Sequence, residues 1–258
     1  MKKALALLYG VLAYVFFFVT FAYAVLFVGN LVVRKTIDTG GSTPALKAIL
    51  IDAALLSLFA LQHSIMARQG FKKQWTRVVS WYIERSTFVI AASAVLALLL
   101  WQWRPIPAKV WDISGTAAGN LLQATFWLGW GILLVSTFLI NHFELFGLEQ
   151  VWSYFRGQKF ERPAFKTPGF YRSVRHPIYL GFVIAFWSAP VMTVGHLLFA
   201  VATTGYILVG IYFEERDLMA AYGEAYRSYR ARVPMLIPLL KFGRKNKGQD
   251  TQARTTTA

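Results

Sequence analysis

Two polar stretches near the C-terminus carry residue types that can do chemistry. The first, TPGFYRSVRHPIYLG at 167–181, offers Arg175, His176 and Tyr179, and the second, YFEERDLMAAYGEAYRSYRARVP from Tyr212, offers Glu214 and Glu215. The chain between them is apolar and long enough for two helices, which the spacing joins at Gly195 and His196 as a tight antiparallel hairpin. A hairpin returns its second helix to the end where the first began, so cation, imidazole, phenol and carboxylates from distant sequence meet. Pro177 suits a first helical position, where its missing N–H costs nothing, and the positive helix end beside His176 can hold an anionic group. Tyr222, Tyr226, Tyr229 and Val233 fall at i, i+4, i+7 and i+11, one stripe of a following helix. Aromatic faces beside carboxylates suit a bound cation, and the same stripe equally reads as packing. The cluster itself also reads as a snorkelling arginine and interfacial carboxylates that only anchor the hairpin.

The elements that must position these groups are membrane spans. Of 258 residues, 56% are hydrophobic and 15% charged, more apolar than a soluble domain of this size. Apolar runs at 4–33, 48–67, 86–103, 121–140, 178–194 and 197–213 predict an all-α polytopic bundle of about six spans. The first run would be about 45 Å long as a helix, and it continues through Phe16, Phe17 and Phe18 with no signal-peptide cleavage pattern. The net charge of +15 does not indicate nucleic acid, because the basic residues flank the apolar runs. With odd loops outside, 22 of the 27 Lys and Arg lie inside and 5 outside, which predicts that both termini are cytoplasmic. Residues 1–240 read as one membrane domain and 241–258 as a disordered basic cytoplasmic tail. The absence of Cys excludes disulfides and thiolate metal sites, and His63, His142, His176 and His196 show no close ligand spacing, so no metal is expected.

Further polar residues fall at the same predicted end. His63 lies near the inner end of span two, Glu84 and Arg85 open span three, and Asn141, His142 and Glu144 close span four. Each has a structural reading as well: an interhelical hydrogen bond for His63, an interfacial ion pair for Glu84 and Arg85, a helix-end cap or bridge for Asn141 and Glu144. His196 sits at the opposite turn and Asp52 near the outer end of span two, the latter read as an interfacial residue.

The order RHPIYLG, helical hairpin, EERDL, then YGEAYRSYRARVPMLIP resembles the C-terminal signature of the integral-membrane methyltransferases that include isoprenylcysteine carboxyl methyltransferase and phospholipid methyltransferases. The resemblance implies S-adenosylmethionine as methyl donor, entering from the cytosol, with Arg175, His176, Tyr179, Glu214, Glu215, Tyr222 and Tyr226 as its contacts. ALQHSIMARQGFK at 60–72, ERSTFV at 84–89 and NHFELFGLEQ at 141–150 extend the similarity, to about residue 240, toward the bacterial methanethiol S-methyltransferase family and a nitrite-reductase-linked membrane family. This implies methylation of methanethiol or a similar small thiol, including hydrogen sulfide, giving dimethyl sulfide in the first case. Glu84, Arg85, Asn141 and Glu144 then lie on the substrate side.

No glycine-rich strand-to-helix turn or P-loop occurs, so such a donor is held by the membrane fold itself. In-line displacement needs positioning more than covalent catalysis, and a thiol, mostly protonated near neutrality, profits from a general base, for which His63 and His142 are the candidates. The alternatives are methylation of a lipid-borne group, either a prenylcysteine carboxylate or a phospholipid amine, and a non-enzymatic membrane protein linked to anaerobic nitrogen metabolism. No oligomeric state follows from the sequence.

Overall fold

The computed structural model describes residues 1–160 and 164–238; the predicted basic tail lies outside the described residues. Among the described residues five helices are long and apolar enough to cross a bilayer: α1 (Lys2–Val28), α2 (Ala45–Ala67), α4 (Trp81–Gln102), α5 (Ala117–Ile140) and α9 (Val194–Tyr222). Short helices α3 (Gln69–Trp75), α6 (His142–Leu145), α7 (Leu148–Arg156) and α10 (Glu224–Arg232) lie outside these spans, and α8 (Pro177–Trp187) is a sixth apolar helix of 11 residues. Large apolar side chains such as Leu12, Phe18, Leu58, Leu61, Trp127, Leu128 and Val209 point outward and stay exposed. A surface of that kind is stable only against lipid, and the protein is an integral membrane protein.

The element boundaries depart from the sequence expectation in ways that matter at the site. The first helix stops at Val28 rather than Val33, because Gly29 ends it and Asn30 and Val32 take positive φ angles of 53° and 48°. The fifth span is only α8, about 16 Å long at 1.5 Å per residue and short of the roughly 30 Å hydrocarbon core. Pro190 accounts for this: it has no N–H to give Phe186, and its ring would clash with that carbonyl. The freed Phe186 oxygen is instead bonded by His196 Nε2 at 3.1 Å. The chain turns through an extended stretch containing β2 (Val191–Thr193), which pairs antiparallel with β1 (Lys109–Asp112). Gly195 and His196 are therefore not the turn; they form the first turn of α9, whose N-cap Thr193 accepts the His196 N–H at 3.1 Å.

The missing half-span is offset by how α8 is seated. It packs along α5 at a glycine crossing, where a Cβ on Gly181 would lie 2.6 Å from Gly129 O and one on Gly129 would lie 2.8 Å from Gly181 O. The core beside this crossing is aromatic, with Phe27, Trp103, Phe126, Trp130, Phe186 and Phe199 buried together. Trp103 Nε1 donates to Ile37 O at 3.0 Å, tying the loop after α1 to the end of α4. Asp52, expected as an interfacial residue, is fully buried and accepts the Arg104 N–H at 2.8 Å. α9 is continuous for 29 residues, about 43 Å, so its last turns, with Glu214 and Glu215, project past a hydrocarbon core of roughly 30 Å.

Candidate functional site

The start of α8 and the end of α9 meet. Arg175 Nε lies 2.6 Å from Glu215 Oε1, and His176 Nε2 lies 3.2 Å from the same oxygen. Arg230 of α10, which the sequence reading missed, closes the other side with Nε 2.9 Å from Glu215 Oε2. Arg175 Nη1 also donates to the carbonyls of Val233 at 2.5 Å and Arg230 at 3.2 Å. The backbone N–H groups of Arg175 and His176 bond Pro234 O and Met235 O at 2.9 and 3.2 Å. Residues 175–176 are thereby stitched to 230–235 across the hairpin ends. Arg230 was legible in principle, since it stands four residues after Tyr226 in the basic run following the carboxylates.

The two adjacent glutamates play different parts. Both Glu215 oxygens are engaged, and its side chain is 7% exposed. Glu214 Oε2 is buried without a hydrogen-bond partner; its nearest ionic neighbour, His176 Nδ1, is 3.8 Å away, beyond bonding range. The Tyr179 phenol is a hydrogen-bond partner of the Glu214 carboxylate and lies within electrostatic reach of Tyr206 and Arg68.

The predicted aromatic stripe is not one helix. α9 ends at Tyr222, Gly223 takes a φ of +56°, and α10 starts afresh at Glu224 and stops at Arg232, leaving Val233 extended. The three tyrosines converge nonetheless, because Phe165 from the preceding loop packs 5.2, 5.8 and 5.5 Å from the rings of Tyr222, Tyr226 and Tyr229. Tyr229 donates to Tyr171 O at 2.6 Å, while the buried Tyr226 hydroxyl has no partner. Burial, reinforced by Glu215, pushes the Tyr226 phenol above its ordinary value, and burial lifts Tyr229 to about 12. These phenols stay neutral at working pH, so Tyr229 donates and Tyr226 keeps its proton available to a ligand.

The two histidines proposed as bases sit in different surroundings. His142, the first residue of α6, has both ring nitrogens in use: Nε2 with Tyr14 OH at 2.8 Å and Nδ1 with Thr137 Oγ1 at 2.8 Å. Its ring stacks on Phe138 at 4.3 Å, and burial holds its pKa below the ordinary histidine value. His63 on α2 is half-buried; its Nδ1 is shielded and has no hydrogen-bond partner. The rings of Phe59, Phe88 and Tyr206 stand 5.5, 5.0 and 6.5 Å from it.

The remaining substrate-side candidates form a brace. Arg85 Nε donates to Leu145 O at 2.7 Å, and its guanidinium lies 5.1 Å from the Phe88 ring, next to His63. Glu84 sits in the first turn of α4. Asn141, at φ 131°, caps α6 by accepting the Glu144 N–H at 3.3 Å and donates to Glu149 at 2.5 Å. Arg68 joins α2 to α9 through Asp217 at 3.3 Å. Among the described residues no group of three or more His, Asp or Glu is placed to hold a metal ion.

A protein-family profile described as a protein of unknown function (DUF1295) matches residues 53–233. The chain is 54% identical over 238 residues to methanethiol S-methyltransferase of Mycobacterium tuberculosis, covering 92% of this chain and 98% of that protein. It is 56% identical over 236 residues to methanethiol S-methyltransferase 1 of Bradyrhizobium diazoefficiens, covering 92% and 83%. A more distant relative, Nurim of Xenopus laevis, is 30% identical over 166 residues, 61% of this chain and 58% of that protein. No solved structure matches.

Proposed function

Because the chain belongs to the methanethiol S-methyltransferase family, we propose that it methylates methanethiol to dimethyl sulfide, with S-adenosylmethionine as the donor. The observation that supports a donor site at the hairpin ends is the pair of orphaned polar atoms there, Glu214 Oε2 and Tyr226 OH, in the neighbourhood of a fully satisfied Glu215. Buried polar atoms without partners are rare and costly, and these fit a ligand that brings both positive charge and hydrogen-bonding groups. The tyrosine faces around Phe165 suit a cationic ligand for the same reason.

S-Adenosylmethionine, when bound, supplies an activated methyl group that the thiol sulfur takes by in-line displacement, leaving S-adenosylhomocysteine and dimethyl sulfide. Glu214, Tyr226, Tyr222 and Tyr179 hold the donor in this reading. Arg175, His176 and Arg230 fix Glu215, and Glu215 in turn fixes the two chain ends; precise holding of the reacting groups is worth several kcal/mol, roughly 7–11 in ideal cases. His63 takes the thiol proton on the free lone pair of its neutral imidazole, because His142 would first have to give up Tyr14 or Thr137. Arg85, beside His63, favours the thiolate. Asn141 and Glu144 act further out, shaping the loop that Arg85 holds. The apolar exterior admits a volatile thiol from the bilayer. Residues 1–240 form the catalytic domain in the cytoplasmic membrane, with both termini and the donor site on the cytosolic side.

The deciding experiment incubates purified protein with S-adenosylmethionine and methanethiol and follows dimethyl sulfide by gas chromatography. Product well above a boiled control is expected; none would reject the activity. His63→Asn is expected to lower turnover of methanethiol by about 10²–10⁴-fold near neutral pH and to recover as the pH is raised and the thiol ionises without a base.

A further inference from the structure

Resting on the thiol-methylating reading, we propose that Phe59, Phe88 and Tyr206 form a size filter that restricts the methyl acceptor to the smallest thiols. The three rings come from three spans, α2, α4 and α9, and surround one imidazole: Phe59 nearly parallel to His63 at 5.5 Å, Phe88 tilted at 5.0 Å, Tyr206 edge-on at 6.5 Å. Phe59 and Tyr206 also meet each other edge-on at 6.3 Å, so the two rings bridge α2 and α9.

Two of the three rings are held from outside. Arg85 lies 5.1 Å from the Phe88 ring, and Phe88 is buried. Ser64, next to His63, reaches the Tyr206 hydroxyl with its Oγ at 3.4 Å. An acceptor that reaches the imidazole therefore has to pass these rings, of which Phe88 and Tyr206 are held by neighbours. Sulfur packs favourably against aromatic rings, so a methylthiol gains contact there, whereas each added methylene on the acceptor has to displace a ring. An apolar wall of this kind separates ligands differing by one methylene by roughly 10- to 200-fold. It also favours release of an uncharged thioether, which makes no hydrogen bond to His63 that the protein must break.

The test measures kcat/KM of the full-length protein for methanethiol and 1-propanethiol, in wild type, Phe88→Leu and Phe59→Ala, with binding of S-adenosylmethionine followed in parallel. Phe59 is only half-buried, so its variant folds even where a change at Phe88 does not. The wild type is expected to prefer methanethiol by at least about tenfold, and the variants to narrow or reverse that preference while still binding the donor. Wild type that uses both thiols equally, or variants that bind the donor with an unchanged ratio, would overturn the filter and leave the rings as packing. A wild type that binds the donor but makes no thioether from methanethiol fails the underlying reading instead, a separate outcome.

Discussion

Glu215 Oε1 lies 2.6 Å from Arg175 Nε, an ion pair between two nearly buried side chains that locks the end of one membrane helix to the start of another. Its neighbour Glu214 keeps an oxygen free. Glu215→Ala is expected to leave Arg175 uncompensated and to cost about 3–5 kcal/mol, seen as a lower thermal midpoint in detergent. Glu214→Gln should change stability by less than about 1 kcal/mol yet weaken donor binding about tenfold or more by calorimetry. Equal effects of the two substitutions on both readouts would contradict the division of labour.

Gly181→Ala places a methyl where Gly129 O would be 2.6 Å and Leu133 N 2.8 Å away, both backbone atoms that cannot rotate aside. The expected loss is about 1–3 kcal/mol or more, together with weaker donor binding, because α8 carries His176 at its N-terminus. Gly131, with nothing within 4 Å of an added Cβ, provides the control: Gly131→Ala should be silent.

Burial lowers the pKa of His142, so the folded protein binds its proton later than the unfolded chain does as pH falls. Stability from this residue is complete above the unfolded value of about 6.5 and is lost as pH drops below it. His142→Asn is expected to cost about 1–3 kcal/mol by stranding Tyr14 and Thr137, and to flatten the decline of the thermal midpoint between neutral and mildly acidic pH. The acidic limb of kcat/KM should stay where it was; if it moves, His142 and not His63 carries the proton.

The chain has no cysteine, which makes orientation directly measurable. Ser42→Cys, in the loop between α1 and α2, is expected to react with an impermeant maleimide on intact cells. Arg77→Cys, in the exposed segment after α3, should react only after permeabilisation. The reverse pattern would put the hairpin ends outside.

Much of this architecture was legible along the chain. The runs at 48–67 and 121–140 reappear as α2 and α5, with the start moved by about one turn, since Pro44 and Thr116 set those starts. The meeting of Arg175 and His176 with the glutamates followed from an apolar stretch that must leave and return. The turn did not follow, because hydropathy cannot see that Pro190 ends α8 or that β1 supplies the strand for β2. Arg230 escaped notice because the run after the carboxylates holds several arginines and only the fold picks out the one that reaches Glu215, and Phe165 because nothing along the chain sets it apart before the fold brings it to the tyrosines.

Sequence alone determined that this is a helical membrane protein whose polar residues collect at one end, because hydrocarbon penalises charge at every position and the penalty is written in the order of residues. Which glutamate is consumed and which left open, and which histidine keeps a free nitrogen, only the tertiary structure decided. Hydrogen bonds and ion pairs act over a few ångströms, and the separation of side chains far apart in the chain is set by helix packing, down to the crossing of Gly129 and Gly181.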